Sequence, residues 1–463
     1  GTSGVINSSR CPDKFVRFIG DKRWGFFPSF SAGWNVSREP FWRDLEHIVN
    51  NFKIRGSWGE LGNCNTTAFY PFYQTMPTGV ENSGWLINGK KPNTASAPGI
   101  VSAEMTWETV RSWNIGFDFG LLNNRLTGSF DYFVRNTLDM IGPAPQLPAT
   151  LGATVPKVNN ADMKAWGFEV EVSWRDRIKD FNYGVKFVLS DDQRKVTRYP
   201  NEELNRNQWY AGRMDGLVWG YETVGIAKTD AEMEAHLASL PNGGQSQLGS
   251  KWAAGDIMYK DLNGDGKISS GDGTLNDLGD LKVVANTQLR FKYGLTLDAS
   301  WKGFDFSAFF QGVGKRDVVV GGPYFWGANG QGMWQAAAFK DHMDYFRPED
   351  TESIFGPNVD AYYPRVIFGG GSSEGGKNTL TQSRYVQNGA YIRLKNLQLG
   401  YTLPSTITKK FAVNSLRVYV SGDNLWTGTK MRVFDPEVLG STGDAGKAYP
   451  LARVWSVGLN VNF

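Results

Sequence analysis

Taking every second residue splits long stretches of the chain into two faces of opposite chemistry. The C-terminal stretch puts Trp455, Val457, Leu459, Val461 and Phe463 on one side and Ser456, Gly458, Asn460 and Asn462 on the other. This is the two-residue period of a strand that is apolar on one face only. The same parity recurs in Trp166, Phe168, Val170, Val172 and Trp174 against Gly167, Glu169, Glu171 and Ser173, and in Trp113, Ile115, Phe117 and Phe119 against Asn114, Gly116 and Asp118. Further examples run through 24–34, 52–58, 126–132, 183–189, 304–310 and 416–420, and the longest covers Leu289 to Trp301. The pattern predicts about eleven strands, many near the ten or so residues that a tilted membrane-spanning strand needs. Between Tyr391 and Leu403 the parity would carry Arg393 and Lys395 onto the apolar face. Either a bulge near Lys395 and Asn396 shifts the register there, or that end stands above the membrane.

Alternation also occurs in soluble sandwiches, so the connections have to discriminate. Links such as Phe119 to Leu126, Trp174 to Phe181 and Trp301 to Phe304 are short, whereas 59–106, 191–284 and 312–389 are long. Short and long alternate along the chain, as in up-and-down membrane barrels with periplasmic turns and external loops. Placing Phe463 at the periplasmic side puts every long link outside. Trp24, Trp34, Trp107, Trp113, Trp166, Trp174, Trp301 and Trp455 fall at the ends of apolar faces, the positions of aromatic girdles. An odd number of strands leaves the sheet open, so another piece of barrel is expected to complete it.

Composition is consistent with this. Among 463 residues 41% are hydrophobic and 14% aromatic, with 55 Gly and a mean hydropathy of −0.37. There is no run of about 18 apolar residues, which excludes membrane-spanning helices but not membrane strands. A net charge of +3 on 49 basic and 46 acidic residues gives no field for nucleic acid. His47, His236 and His342 are scattered, so no histidine-based catalytic or metal cluster is expected. Glu169 and Glu171 lie two apart on a face that a channel would solvate, and no nucleophile, acid and base set is visible, so the chain reads as a non-enzyme.

Several segments carry a family signature. Thr106 to Tyr132 (TWETVRSWNIGFDFGLLNNRLTGSFDY), GYETVGI from Gly220, GDIMYKDLNGDG from Gly255, YIRLKNLQLGYTLP from Tyr391, SLRVYVSGDNLW from Ser415 and the terminal GLNVNF together resemble the SusC/RagA group of TonB-dependent outer-membrane transporters. The resemblance implies an all-β transmembrane antiparallel barrel of about 22 strands. Residues 23–463 would be its C-terminal part, after an external segment 1–22. A plug, an energy-coupling box and the N-terminal half of the barrel would precede Gly1. It also implies a multi-pass position in outer-membrane lipid and import of glycans, oligopeptides or other large nutrients. The implied partners are a SusD-like lipoprotein lid and the TonB complex, and Phe463 would be the aromatic read by the insertion machinery. The alternative of another class is an adhesive barrel that binds a surface without import.

Three groups of residues invite chemistry. Asp261, Asn263, Asp265, Lys267 (through its carbonyl), Ser269 and Asp272 follow the ligand spacing of a calcium loop, with Gly266 at the sharp turn. Asp272 replaces the usual Glu and reaches less far, so Asp256, Asp277 or Asp280 could substitute. The expectation is a structural Ca²⁺ that stiffens an external loop; the plain alternative is an acidic turn. Tyr324, Phe325, Trp326, Trp334 and Phe339 could stack on cargo or meet the partner, or simply pack the loop. Cys11 and Cys64 both fall on the external side, which predicts a disulfide, the alternative being two separate thiols.

Overall fold

The computed structural model describes residues 13–14, 18–64, 72–80, 85–95, 98–101, 104–144, 155–329, 338–367, 373–432, 434–439 and 449–463. Eleven strands form one antiparallel sheet in which each pairs with its neighbours in sequence. They are β1 (Ser29–Asn35), β2 (Val49–Asn63), β3 (Glu108–Leu121), β4 (Leu126–Ile141), β5 (Asn159–Ile178), β6 (Phe181–Arg198), β7 (Arg290–Trp301), β8 (Phe304–Lys315), β9 (Tyr391–Thr402), β10 (Ser415–Thr429) and β11 (Val454–Asn462). The number and order are those the alternation predicts. Strands β1 and β11 each pair on one side only, so the sheet has two open edges among the described residues. No described helix is long and apolar enough to cross a membrane.

Register explains why the sheet stays in this frame. Trp113, Ile115 and Phe117 on β3 oppose Val134, Tyr132 and Phe130 on β4, which oppose Trp166, Phe168 and Val170 on β5. A slip of one residue would turn that whole apolar face inward. The outward side chains are open: Val457 is 78% exposed and Leu459 60%. The inner face is charged and paired across strands. Arg55 on β2 binds both Asp118 on β3 and Asp131 on β4, and Lys186 on β6 lies 2.8 Å from Glu171 on β5. Asp305 on β8 meets Arg417 on β10 by passing over Gly400 of β9, where a Cβ would come within 2.6 Å of both charged groups.

The β3–β4, β5–β6 and β7–β8 hairpins are tight. Lys302 and Gly303 join β7 to β8 with φ of 45° and 90°, the left-handed pair that two-residue hairpins require. The strand expected from Trp24 to Trp34 is broken instead. Trp24–Gly25 pairs with Asp13–Lys14, and the ladder restarts at Ser29 after Pro28, which has no N–H to give. Strands also outlast the apolar pattern. β2 continues to Asn63, β6 to Arg198 and β8 to Lys315, while β3, β7 and β9 begin at Glu108, Arg290 and Tyr391. The external segments are therefore 64–107, 199–289 and 316–390 rather than 59–106, 191–284 and 312–389. Above the membrane both faces are wet, so backbone pairing persists after the hydrophobic alternation that marks it has ended.

Of the two explanations for Arg393 and Lys395, the bulge is the one found. Phe309 and Phe310 of β8 face Asn396 and Leu394, and Asn396 and Leu394 face Asp423 and Trp426 of β10. Lys395 is the extra residue against β8, while on the β10 side Asn424 and Leu425 together stand opposite it. Phe291, with φ of 55°, stands between the Arg290–Lys315 and Lys292–Val313 pairings without shifting their register.

The buried apolar core lies outside the barrel. Tyr221, Ile257, Tyr259 and Ile268 from the β6–β7 loop pack with Val318, Phe325, Tyr363 and Tyr385 from the β8–β9 loop and with Met431 and Leu439 from the β10–β11 loop. A helix, α1 (Asp230–Ala238), is capped by Thr229, which accepts from Glu232 N, and buries Met233 against Met258.

Candidate functional site

The acidic loop 261–280 sits in this external unit. Asp261 accepts from Gly264 N at 2.6 Å and from Gly266 N at 2.9 Å. Asn263 accepts from Asp265 N, and Asp265 from Lys267 N. Gly264 and Gly266 have φ of 76° and 77°, which wind the chain so tightly that alternate side chains point to one centre. The acid that completes the cluster is Asp280. It is fully buried, accepts from Leu262 N and Ser269 N at 2.7 Å each, and brings a carboxylate oxygen within 4.8 Å of those of Asp261 and Asp265.

Asp272 does not join them. It is exposed, caps its own turn through Thr274 N, and is not one of the three converging carboxylates. Ser269 is buried and its hydroxyl accepts from Gly271 N. The sequence spacing places the twelfth residue on a continuing loop, whereas the chain here turns away at Gly271 and returns nine residues later to deliver Asp280.

The electrostatics of the cluster favour a cation. Burial and the neighbouring Asp261 charge raise the Asp280 pKa above the ordinary carboxylate value. Burial also opposes ionisation of Asp261, but the Gly266 and Gly264 N–H groups outweigh it and hold its pKa low. A hard divalent ion would relieve the crowding of the three carboxylates, and Asp261, Asn263, Asp265, the Lys267 carbonyl and Asp280 fit its oxygen preference.

The aromatic residues divide. Trp326 is only 6% exposed and stacks edge-on against Tyr385 at 4.7 Å, with Phe325 fully buried beside it. Trp326 is therefore a core residue and not a contact surface, because the β8–β9 loop folds over it. Tyr324 and Phe339 remain exposed and stack on each other at 5.7 Å. Trp334 lies outside the described residues. Cys64 follows β2 on the external side, and Cys11 lies outside the described residues. Trp107, expected in a girdle, is buried under Phe18 and Phe27 and donates to Lys22 O.

What sequence reading misses is the ionic cement between loops. Asp256 is completely buried and binds Arg365 through both oxygens, Lys377 at 3.0 Å and Asn378 at 2.8 Å. Lys377 is equally buried, lies over the Trp252 ring and also holds Glu374. Asp256 lies more than a hundred residues from Arg365, Lys377 and Asn378, so no local spacing announces the group. The last loop is tied in the same way. Arg316 donates to the Pro436 and Leu439 carbonyls, and Arg393 and Lys395, freed by the bulge, bind Asp435 and Glu437.

Known proteins share this architecture. A family model for the TonB-dependent receptor-like β-barrel matches residues 7–301. Over 97% of its length the chain is 27% identical to TonB-dependent receptor P3 of Formosa agariphila, covering 43% of that protein. Over 97% it is also 25% identical to TonB-dependent receptor SusC of Bacteroides thetaiotaomicron, covering 41% of it. The chain thus spans less than half the length of these relatives. Among solved structures, the RagAB peptide importer in its closed-closed state superposes with a TM-score of 0.70 at 20% identity, over 97% of this chain and 44% of that one.

Proposed function

Because the chain belongs to the TonB-dependent receptor β-barrel family and its sheet is of the outer-membrane kind, we propose that it forms the C-terminal wall and external loops of a transporter that imports large nutrients. The observation that carries this reading is the two-faced meander. Eleven neighbouring strands turn apolar side chains outward and cross-strand ion pairs inward, as a wall between lipid and a wet lumen requires. Glycans or oligopeptides suit a lumen that mixes both charge signs. The open edges at β1 and β11 would pair with an N-terminal half of the barrel, whose plug would engage TonB, and a SusD-like lipoprotein would close over the external unit. Deleting the gene in its host should abolish growth on one class of polymeric nutrient while growth on the monomer is kept. Unchanged growth on every such nutrient, with loss of surface attachment instead, would favour the adhesive barrel.

The acidic loop is read as a structural Ca²⁺ site held by Asp261, Asn263, Asp265, Lys267 O and Asp280. The convergence of three carboxylates supports it. Elemental analysis of the purified full-length protein after dialysis should find calcium, and chelator should expose the 255–285 region to protease. Absence of both effects would remove the metal from the account and leave an acidic turn.

A further inference from the structure

Two arginines lie side by side on the inner wall at the mouth of the channel. Arg135 of β4 and Arg194 of β6 both pair in register with Ala165 of β5, one from each side. With strands about 4.8 Å apart, their Cα atoms lie roughly 10 Å from each other, separated by a single methyl group. All three face inward, since the flanking Val134, Trp166 and Gln193 occupy the opposite parity. Trp113 and Trp166, paired on either side of Val134 one step away in the ladder, belong to the upper aromatic girdle, so the pair sits at the level of the external membrane interface.

Like charges this close normally find partners. Arg135 is exposed and makes no ion pair or side-chain hydrogen bond among the described residues. Arg194 is 53% exposed and makes one loose contact, 3.6 Å to Asp192 Oδ2, a carboxylate it shares with Lys292, which holds Oδ1 at 2.6 Å. The two guanidiniums open into a cavity of about 680 Å³, walled by Phe133, Thr137 and Met163. Asp192 and Arg194 also line a second cavity of about 480 Å³ that leads out past Arg213 and Asp215. Among the described residues the cavity's carboxylate without an ion pair is Glu169, four residues further down β5, or about 13 Å below Ala165. The carboxylate is thus too far to neutralise the arginines.

The geometry points to an oxyanion-binding subsite in which Arg135 and Arg194 grip one carboxylate or sulfate group of cargo entering the channel, with the Phe133 ring below it. Guanidinium forks suit such groups, and the small Ala165 side chain leaves the space between them open. The subsite rests on the reading of this sheet as a channel wall.

The test uses the full-length protein in detergent micelles and the fluorescent trisulfonate pyranine, followed by anisotropy. Wild type should bind it, and R135Q/R194Q should bind at least tenfold more weakly, with R135K/R194K in between. Displacement by citrate assigns the site to carboxylates and displacement by sulfate to sulfate esters, while an uncharged malto-oligosaccharide should displace nothing. No binding by wild type, equal affinity in the double variant, or displacement by the neutral sugar would overturn the subsite. Heat-modifiable migration on gels checks that both variants retain the barrel. The binding measurement needs no energised import, so its failure is distinct from failure of the transport reading, which growth of the deletion strain reports.

Discussion

The barrel sheet and the external unit are built from one chain by opposite rules. In the sheet, apolar side chains such as Val457 and Leu459 face outward and are exposed, while charges face inward in cross-strand pairs. In the external unit Phe325, Tyr259 and Ile257 are fully buried, and the buried ionic group of Asp256 with Lys377 and Arg365 stitches loops together. The difference is the solvent. Lipid rewards apolar surface at the periphery, and water rewards it at the centre. A substitution that is harmless in one region should therefore be costly in the other.

The largest effect should come from the external unit. Asp256→Ala takes from the buried Lys377 its buried carboxylate, leaving it Glu374, and loses both Arg365 hydrogen bonds, so the unit should lose about 3 kcal/mol, the low end of the cost of breaking a buried pair from one side. Limited proteolysis should then cut the 199–289 and 316–390 loops at lower temperature, while heat-modifiable migration of the barrel is unchanged. Joint loss of both signals would mean that the two regions do not fold separately. In the barrel, Val420→Arg places a charge on the lipid face of β10 and should cost about 2–4 kcal/mol near the midplane. Ser421→Arg, one residue on, faces the lumen and should cost almost nothing. Refolding titrations into vesicles measure both; equal costs would contradict the assigned faces.

Chelation should have an intermediate effect. If the acidic loop holds Ca²⁺, free ion at about 100 times its dissociation constant stabilises the external unit by about 2.7 kcal/mol, and Asp280→Asn should remove that increment. Asp272→Asn should leave it intact, because Asp272 lies outside the converging carboxylates. Affinity should fall with pH, since the raised Asp280 pKa means that protons compete there before they protonate ordinary carboxylates.

These contrasts also explain what could be read without coordinates. Strand number, order and facing are legible because lipid enforces strict alternation, as in Trp166 to Trp174. The bulge at Lys395 was legible as a conflict: two basic residues on an apolar parity demand a register change. The acidic loop is legible through Asp265, where oxygen-bearing side chains follow one another locally, and not at Asp272, where the chain leaves the centre and Asp280 arrives from a later turn. Trp326 and Asp256 lay beyond reach because an external unit folded from three distant loops has no periodicity to expose which side chains are inside.

The smallest expected effect tests whether the ionic cement of the external unit responds to acid while the barrel does not. Glu374 accepts from Ser250 N and Ser250 Oγ and pairs with Lys377 at 3.0 Å. The Ser250 hydrogen bonds, with Lys377 beside them, hold its pKa at about 2 against an ordinary 4.5. A carboxylate whose folded pKa is depressed contributes stability that is fully present above the unfolded value and disappears as pH falls through the folded one. The external unit should therefore lose stability progressively from about pH 4.5 to about pH 2, with the barrel's own melting unaffected by this group. Glu374→Gln should cost about 1 kcal/mol at neutral pH, where the lost charge-assisted bonds matter, and should flatten the dependence below pH 4.5. Proteolysis of the loops as a function of pH reads this directly. An acid profile identical in wild type and variant would move the sensitivity of the unit from Glu374 to its other carboxylates, Asp344 and Asp435, which tie the last loop through Arg432 and Arg393.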